Sequence, residues 1–185
     1  SAKTWYTGTG ATSKAYAIFS GYTSKFKVDN AGLLTATMGT GTGTNTMVGV
    51  ANVNTTAVGN VGVGTDDLMT YAHPANSLSA NGKGVRIRAW GTGANNANAK
   101  TVTLVYGGTT LLSVALSVSQ ADTWDIDAIV IRTSATAQEA IARVIQGGTA
   151  TISSATQSNP AETLSGAVTI KCTGAATSDN DIVQE

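Results

Sequence analysis

The side chains best suited to ligand chemistry lie around an asparagine-rich stretch near the middle of the chain. Asn95, Asn96 and Asn98 occupy a predicted loop between two strands, and Trp90 and Tyr106 stand near the roots of that loop. Side-chain amides beside aromatic rings can grip neutral sugars, the amides through hydrogen bonds and the rings through stacking. Asparagine also favours left-handed turn conformations, which is the alternative reason for its presence here. We predict a ligand-facing loop formed by Trp90, Asn95, Asn96, Asn98 and Tyr106.

The sequence offers few residues that could activate a nucleophile for catalysis. His73 is the only histidine, so a Ser-His-acid arrangement would have to be built around it. Ser77 follows closely but lacks the sequence context that exposes a serine nucleophile on a sharp turn. Cys172 is the only cysteine, which excludes an internal disulfide, and it alternates with apolar residues as a buried small side chain would. We predict no catalytic residues, and a turn or interface role for His73.

Carboxylates occur in short clusters at residues 66–67, 122–127 and 179–181. Asp125 and Asp127 share one face of a predicted strand, so they can pair across a sheet with Arg86 and Arg88. We predict this cross-strand pairing in preference to a carboxylate pair for glycoside hydrolysis. Residues 179–181 read Asp-Asn-Asp and could hold a hard cation such as calcium, but the spaced ligands of a calcium loop are missing. We therefore predict no metal site.

A run of alternating glycine and threonine covers residues 39–44. Glycines at this spacing can cradle a phosphate, but only where a helix follows and presents its amino terminus. A strand pattern over residues 47–53 follows instead. The run therefore predicts a linker or a close-packed stalk element, and no cofactor.

The elements that must position these residues are strands. From residue 67 onward apolar and polar residues alternate, which is the pattern of a strand with one buried face. Turn signals separate the segments, as expected for antiparallel neighbours. The predicted strands cover residues 68–73, 85–90, 101–106, 109–118, 124–132, 136–148, 167–173 and 182–183. About eight strands predict an all-β antiparallel jelly-roll sandwich of two four-stranded sheets, with a generic immunoglobulin-like sandwich as the alternative.

One of these segments, residues 136–148, fits two structures. As a helix it would begin with a capping box at Thr136 and Glu139 and end at glycines. As a strand it would set Ala140 and Val144 against Ile141 and its neighbours on the other face. We favour the strand, because the surrounding segments are strands and tertiary context overrides local propensity.

The composition changes near Val63-Gly64-Thr65, which divides the chain into residues 1–64 and residues 65–185. The first part has short strands broken by glycine, with a hairpin turning at residues 29–32. Its apolar residues, such as Phe26 and Leu34, are too few to close a core from one copy. We predict an N-terminal β-rich stalk or anchoring segment that homotrimerisation would shield, followed by the sandwich head. The alternative is an extra sheet layer packed on the same chain's sandwich.

Charge is sparse and balanced across the 185 residues. Only 12% are charged, and eleven basic residues match eleven acidic ones, so we predict no nucleic-acid partner. No stretch approaches the roughly 20 apolar residues of a membrane span, so we predict no membrane insertion. A chain with so little net charge suits a permanent assembly. It opens on Ser1, and we expect a processed product or part of a longer protein.

Short motifs of the head occur at residues 66–71, 74–76, 89–92, 98–102, 107–108 and 180–182. Together they are similar to the jelly-roll domains of tailed-bacteriophage fibre and capsid-decoration proteins. Residues 26–32 likewise resemble the strand-turn units of phage fibre stalks. The resemblance implies a trimeric virion component that contacts other virion proteins, with no catalytic residues or cofactors to carry over.

This resemblance leads to a functional hypothesis. We expect a non-enzymatic virion protein whose head stabilises the particle or attaches to a host surface glycan, by many weak contacts acting together. The rival hypothesis is a carbohydrate-binding module of a secreted bacterial enzyme or adhesin. A depolymerase is a more distant third.

Overall fold

The computed structural model describes residues 51–118, 121–147 and 152–185 in full. Of the first fifty residues it describes the backbone of four strands, Ala17–Ser20 (β1), Thr23–Val28 (β2), Leu34–Ala36 (β3) and Asn45–Thr46 (β4). The contacts divide the chain into two compact units, Ser1–Val53 and Asn54–Glu185. The composition change near residue 64 falls inside the second unit, because the first strand of that unit precedes it.

The N-terminal unit contains a four-stranded antiparallel sheet in the order β1-β2-β3-β4. The predicted hairpin is present as the pairing of β2 with β3, in which Phe26 lies opposite Ala36 and Val28 opposite Leu34. The turn at residues 29–32, the glycine-threonine run at residues 39–44 and the shielding of Phe26 lie outside the described residues. The strand predicted over residues 47–53 does not reach residues 51–53, which are irregular and exposed.

The second unit is built from ten described strands in two antiparallel sheets. One sheet has the order β12-β11-β10-β7-β14-β5, and the other has the order β6-β13-β8-β9. The strands are Val58–Gly59 (β5), Gly64–His73 (β6), Gly84–Gly93 (β7), Thr101–Tyr106 (β8), Thr109–Ala115 (β9), Asp122–Ser134 (β10), Ala137–Gln146 (β11), Ile152–Ser158 (β12), Val168–Ala176 (β13) and Ile182–Gln184 (β14). The described residues contain no helix, so the all-β prediction is confirmed.

Alternation along the strands produces the core between the two sheets. Val102, Leu104 and Tyr106 of β8 are buried, as are Trp124 and Ile126 of β10, while the residues between them are more exposed. Each fully buried large apolar side chain contributes roughly 1.5–3 kcal/mol of transfer free energy. These inward faces are the ones that the alternation predicts.

The ambiguous segment forms strand β11, which confirms the favoured interpretation. It pairs with β10 on one side and β12 on the other. Its backbone N–H and C=O groups are therefore hydrogen-bonded to neighbouring strands instead of within a helix. Ala140, Ala142 and Val144 are buried. Gln138 is also buried, and its amide exchanges two hydrogen bonds with the backbone of Glu162, at 3.0 and 2.9 Å. Partners on both sides outweigh helix propensity here.

The sheets have six and four described strands, where the sequence predicts four and four. Two strands went unpredicted. β5 has only two residues. β12 reads Ile-Ser-Ser-Ala-Thr-Gln-Ser, and each of its side chains is exposed or partly exposed, so neither strand shows a buried face.

The chain crosses between sheets at each step from β5 to β8, and the run β10-β11-β12 stays within one sheet.

Asn60 ties β14 into the larger sheet. Its side chain is fully buried, accepts a hydrogen bond from the Ile182 amide at 2.9 Å, and donates one to the Ser178 carbonyl at 2.8 Å. Its backbone amide donates to the Ile182 carbonyl, and its carbonyl accepts from the Asn180 amide. These hydrogen bonds satisfy the buried side-chain amide of Asn60 and join two segments that are distant in the sequence.

Candidate functional site

The asparagine loop between β7 and β8 turns most of its amide groups inward. Asn96 and Asn98 donate from Nδ2 to the two carboxylate oxygens of Asp181, and Asn98 also donates to Ser178 Oγ at 3.1 Å. Lys100 is buried beneath the loop and donates from Nζ to the carbonyls of residues 96 and 98, at 3.2 and 3.0 Å. Of the three predicted asparagines, Asn95 alone is exposed, and the other two are partly buried. The loop is therefore organised mainly by internal bonds.

Asp181 is the centre of this network and is only 1% exposed. Burial alone would raise the pKa of its carboxyl group. The hydrogen bonds from Asn96, Asn98 and the backbone amides of Ser178 and Thr177 outweigh burial and hold that pKa below its ordinary value. Because N–H donors surround both oxygens, this carboxylate has a structural role.

No group of three or more His, Cys, Asp or Glu side chains that could hold a metal ion occurs among the described residues.

The two predicted aromatic residues lie in different surroundings, and Tyr106 lies away from the loop. Tyr106 ends β8, so about 17 Å of strand separates it from the loop that precedes Thr101. It is 0% exposed, and burial, followed by the charge of Glu162, raises the pKa of its hydroxyl group. Trp90 lies instead on the outer face of the larger sheet and is 43% exposed. The structure therefore does not bring Tyr106 to the predicted ligand-facing loop.

His73 is buried at the end of β6, beside a turn. Ser77 Oγ lies 3.1 Å from Nδ1 and 3.2 Å from Nε2, and it donates its own proton to the Pro74 carbonyl at 2.7 Å. A serine that donates to a backbone carbonyl is not activated by the histidine. No carboxylate is bonded to this ring among the described residues, so the pair lacks the third member of a triad.

Burial of His73 predicts a pH-dependent stability. Burial lowers the pKa of the imidazole below 6.5, so the unfolded chain binds a proton before the folded one does. Stability is therefore full above pH 6.5 and falls as the pH drops from 6.5 toward the folded-state pKa. Urea unfolding between pH 5 and pH 7.5 should show this loss in the wild type and a flatter profile in His73→Gln. Equal slopes in the two proteins would contradict it.

Cys172 is a buried, uncharged thiol. Burial raises its pKa to about 12, so the thiolate that would react or bind a metal is absent at neutral pH. Its packing in the core cluster confirms the predicted role as a small apolar residue.

The cross-strand ion pairs predicted from sequence are present on the outer face of the larger sheet. Arg88 donates from Nε and Nη2 to both oxygens of Asp125, and Arg86 does the same to Asp127, at 2.7 and 3.0 Å. Arg143 of β11 adds a second cation to Asp127 at 2.9 Å. Hydrogen bonds from Arg86 and then Arg143 lower the pKa of Asp127 despite partial burial. Such surface pairs contribute little to stability, because solvent screens their charges.

Beside this ladder of ion pairs lies a shallow, open depression of about 510 Å³. Its polar and aromatic lining includes Arg88, Trp90, Thr92, Thr123, Asp125 and Glu185. We call this surface the Trp90 platform. Sequence reasoning selected Trp90 for a ligand site and Arg88 and Asp125 for ion pairing only. It missed Thr92, Thr123 and Glu185, because only the pairing of β7 with β10 and β14 shows that they share one face. The register between β7 and β10 sets Asp125 opposite Trp90 and Thr123 opposite Thr92.

Comparisons of the chain with protein-family models, with curated proteins and with solved structures found no match. A functional proposal for this chain therefore has to rest on the arrangement of its residues. Within the described part of the chain, no segment forms a helix with the length and hydrophobicity that crossing a membrane requires.

Proposed function

We propose that the chain is a non-enzymatic structural protein of a bacteriophage virion, of the fibre or capsid-decoration type. The second unit is its jelly-roll head, and the N-terminal unit is the stalk or anchor that joins it to sister chains in a trimer. The head stabilises the particle or attaches it to a host surface. Sequence motifs suggested this reading, and the all-β sandwich is compatible with it.

The observation that carries the proposal is the contrast between the interior and the outer sheet face. Inside, polar groups such as Asn60, Gln138 and Asp181 are bonded to the protein's own backbone or side chains. Outside, the larger sheet presents a broad face with the ion-pair ladder beside the exposed Ile129 and Ile141. Such a face suits contact with another large surface, whereas catalysis needs convergent groups in a cleft.

Two measurements test this proposal. Sedimentation equilibrium of the full chain should give three times the 18.6 kDa mass of one chain at micromolar concentration. Gold-labelled antibody against the chain should decorate intact phage particles from a lysate of the source culture in electron micrographs. A monomer that stays in the particle-free supernatant would contradict the proposal.

A second candidate function has its own supporting observation. An exposed tryptophan beside hydroxyl and carboxylate groups, in an open depression on a sheet face, also suits a carbohydrate-binding module of a secreted bacterial enzyme or adhesin. Such a module would be monomeric and free of particles. The same two measurements therefore distinguish the candidates.

A further inference from the structure

The Trp90 platform gathers groups from three neighbouring strands onto one face. Trp90 and Thr92 project from β7, and Thr123 and Asp125 project from β10 directly opposite them. Glu185 follows β14 on the other side, where its backbone amide donates to the Trp90 carbonyl at 3.0 Å. Because the strands are paired, the spacing among these side chains is set by the sheet. The platform is therefore held in place by the core of the sandwich.

The chemistry of the platform is that of a sugar site. The indole of Trp90 offers an apolar surface on which the C–H face of a pyranose can stack. Around it, the hydroxyl groups of Thr92 and Thr123 can donate or accept, and the carboxylate of Glu185 can accept from a sugar hydroxyl. The volume of about 510 Å³ lies within the range of roughly 300–1,000 Å³ usual for small-molecule sites.

Charge at the platform selects among sugars. The guanidinium of Arg88 lies over the Trp90 ring, 6.0 Å from its centroid, and is held by both oxygens of Asp125, so this pair is close to neutral. No cation is paired with Glu185 among the described residues, which leaves one unpaired carboxylate on the platform. A carboxylated or sialylated sugar would meet this carboxylate and lose binding energy.

We propose that the Trp90 platform binds a neutral glycan, with one pyranose ring stacked on Trp90. This inference rests on the proposed function in one respect, since a glycan on a host surface is what an attachment head would contact. Each site would be weak because it is shallow and open. Copies on one particle would raise the overall affinity by multivalency.

Binding of the full chain to an array of neutral and sialylated glycans tests the inference, followed by calorimetry with the best neutral oligosaccharide. We expect neutral glycans to bind and sialylated ones not to bind. Trp90→Ala should weaken the affinity at least about tenfold, or about 1.4 kcal/mol. Trp90→Phe should recover part of it, because a smaller ring still stacks. Val63→Ala is the matched control, since Val63 is an exposed apolar residue just before β6 of the other sheet and should leave binding unchanged.

Three results would overturn the inference: no neutral glycan bound, equal binding by the wild type and a folded Trp90→Ala, or preference for sialylated glycans. Far-ultraviolet circular dichroism confirms that each variant is folded. Failure here is distinguishable from failure of the proposed function. A trimeric, particle-borne chain that binds no glycan loses only the glycan inference, whereas a particle-free monomer with Trp90-dependent binding supports the carbohydrate-binding module.

Discussion

Gly91→Ala should lower the free energy of unfolding by about 3 kcal/mol, because the larger sheet leaves no room for a side chain there. Gly91 lies on β7 between β10 and β14. An added Cβ would overlap the Val183 carbonyl oxygen and lie 2.7 Å from Cζ2 of Trp124. The carbonyl belongs to a paired strand and cannot rotate away, and Trp124 is buried, so the strands themselves must separate.

Urea denaturation of the purified variant measures this effect. Gly166→Ala is the matched control, since its added Cβ would meet nothing closer than the Thr163 carbonyl oxygen at 3.7 Å. We expect the control to stay within about 0.5 kcal/mol of the wild type. A Gly91→Ala protein as stable as Gly166→Ala would show that β14 does not pack against β7 in this way.

Asp181→Ala should cost about 3 kcal/mol of stability. The substitution removes the acceptor for the side-chain amides of Asn96 and Asn98 and for the Ser178 amide. These bonds are partly buried, and a buried donor left unsatisfied costs about 1–3 kcal/mol, so three partly buried donors together account for the expected loss. Asp67→Ala is the matched control, because that carboxylate makes an exposed ion pair with Lys171 and should change stability by less than about 1 kcal/mol. Equal unfolding midpoints for the two variants would contradict the structural role of Asp181.

Acid titration gives an independent check on Asp181. Its folded-state pKa is lowered, so its contribution is present above the unfolded value of about 4 and is lost as the pH falls through the folded-state pKa. This window lies below that of His73. Asp181→Asn should therefore lose less stability than the wild type between pH 4 and pH 2. Parallel acid-unfolding curves would argue against the lowered pKa.

Local sequence patterns were sufficient to predict that the segments form β-strands and which side of each strand faces the core. Alternation identified the buried residues of β8 and β10, and opposite charges on one face of two strands indicated that Asp125 and Asp127 would pair with Arg86 and Arg88, without fixing which aspartate meets which arginine. These features depend on residues near each other along a strand or on a common two-residue period. They carry over from sequence to structure because the sheet preserves that period.

Features that depend on pairing between distant segments were not predicted. The Asn60 clamp and the Asp181 network join residues about 80 to 120 positions apart, and no periodicity marks them. Tyr106 was assigned to the asparagine loop although the predicted strand over residues 101–106 already separates it from that loop, because the length of the strand was not taken into account. The platform around Trp90 required the register of β7 with β10, which alternation leaves open.

The position of β14 between β7 and β5 has a kinetic consequence. Among the described strands, β5 pairs only with β14. β5 therefore stays without a partner until Ile182, 122 positions beyond Asn60, has reached it. Contacts of such long sequence separation slow folding, and β-rich domains of this kind fold in milliseconds to seconds. During that interval the edge of β7 that will receive β14 is open to pairing with other chains, so refolding at high concentration should compete with aggregation.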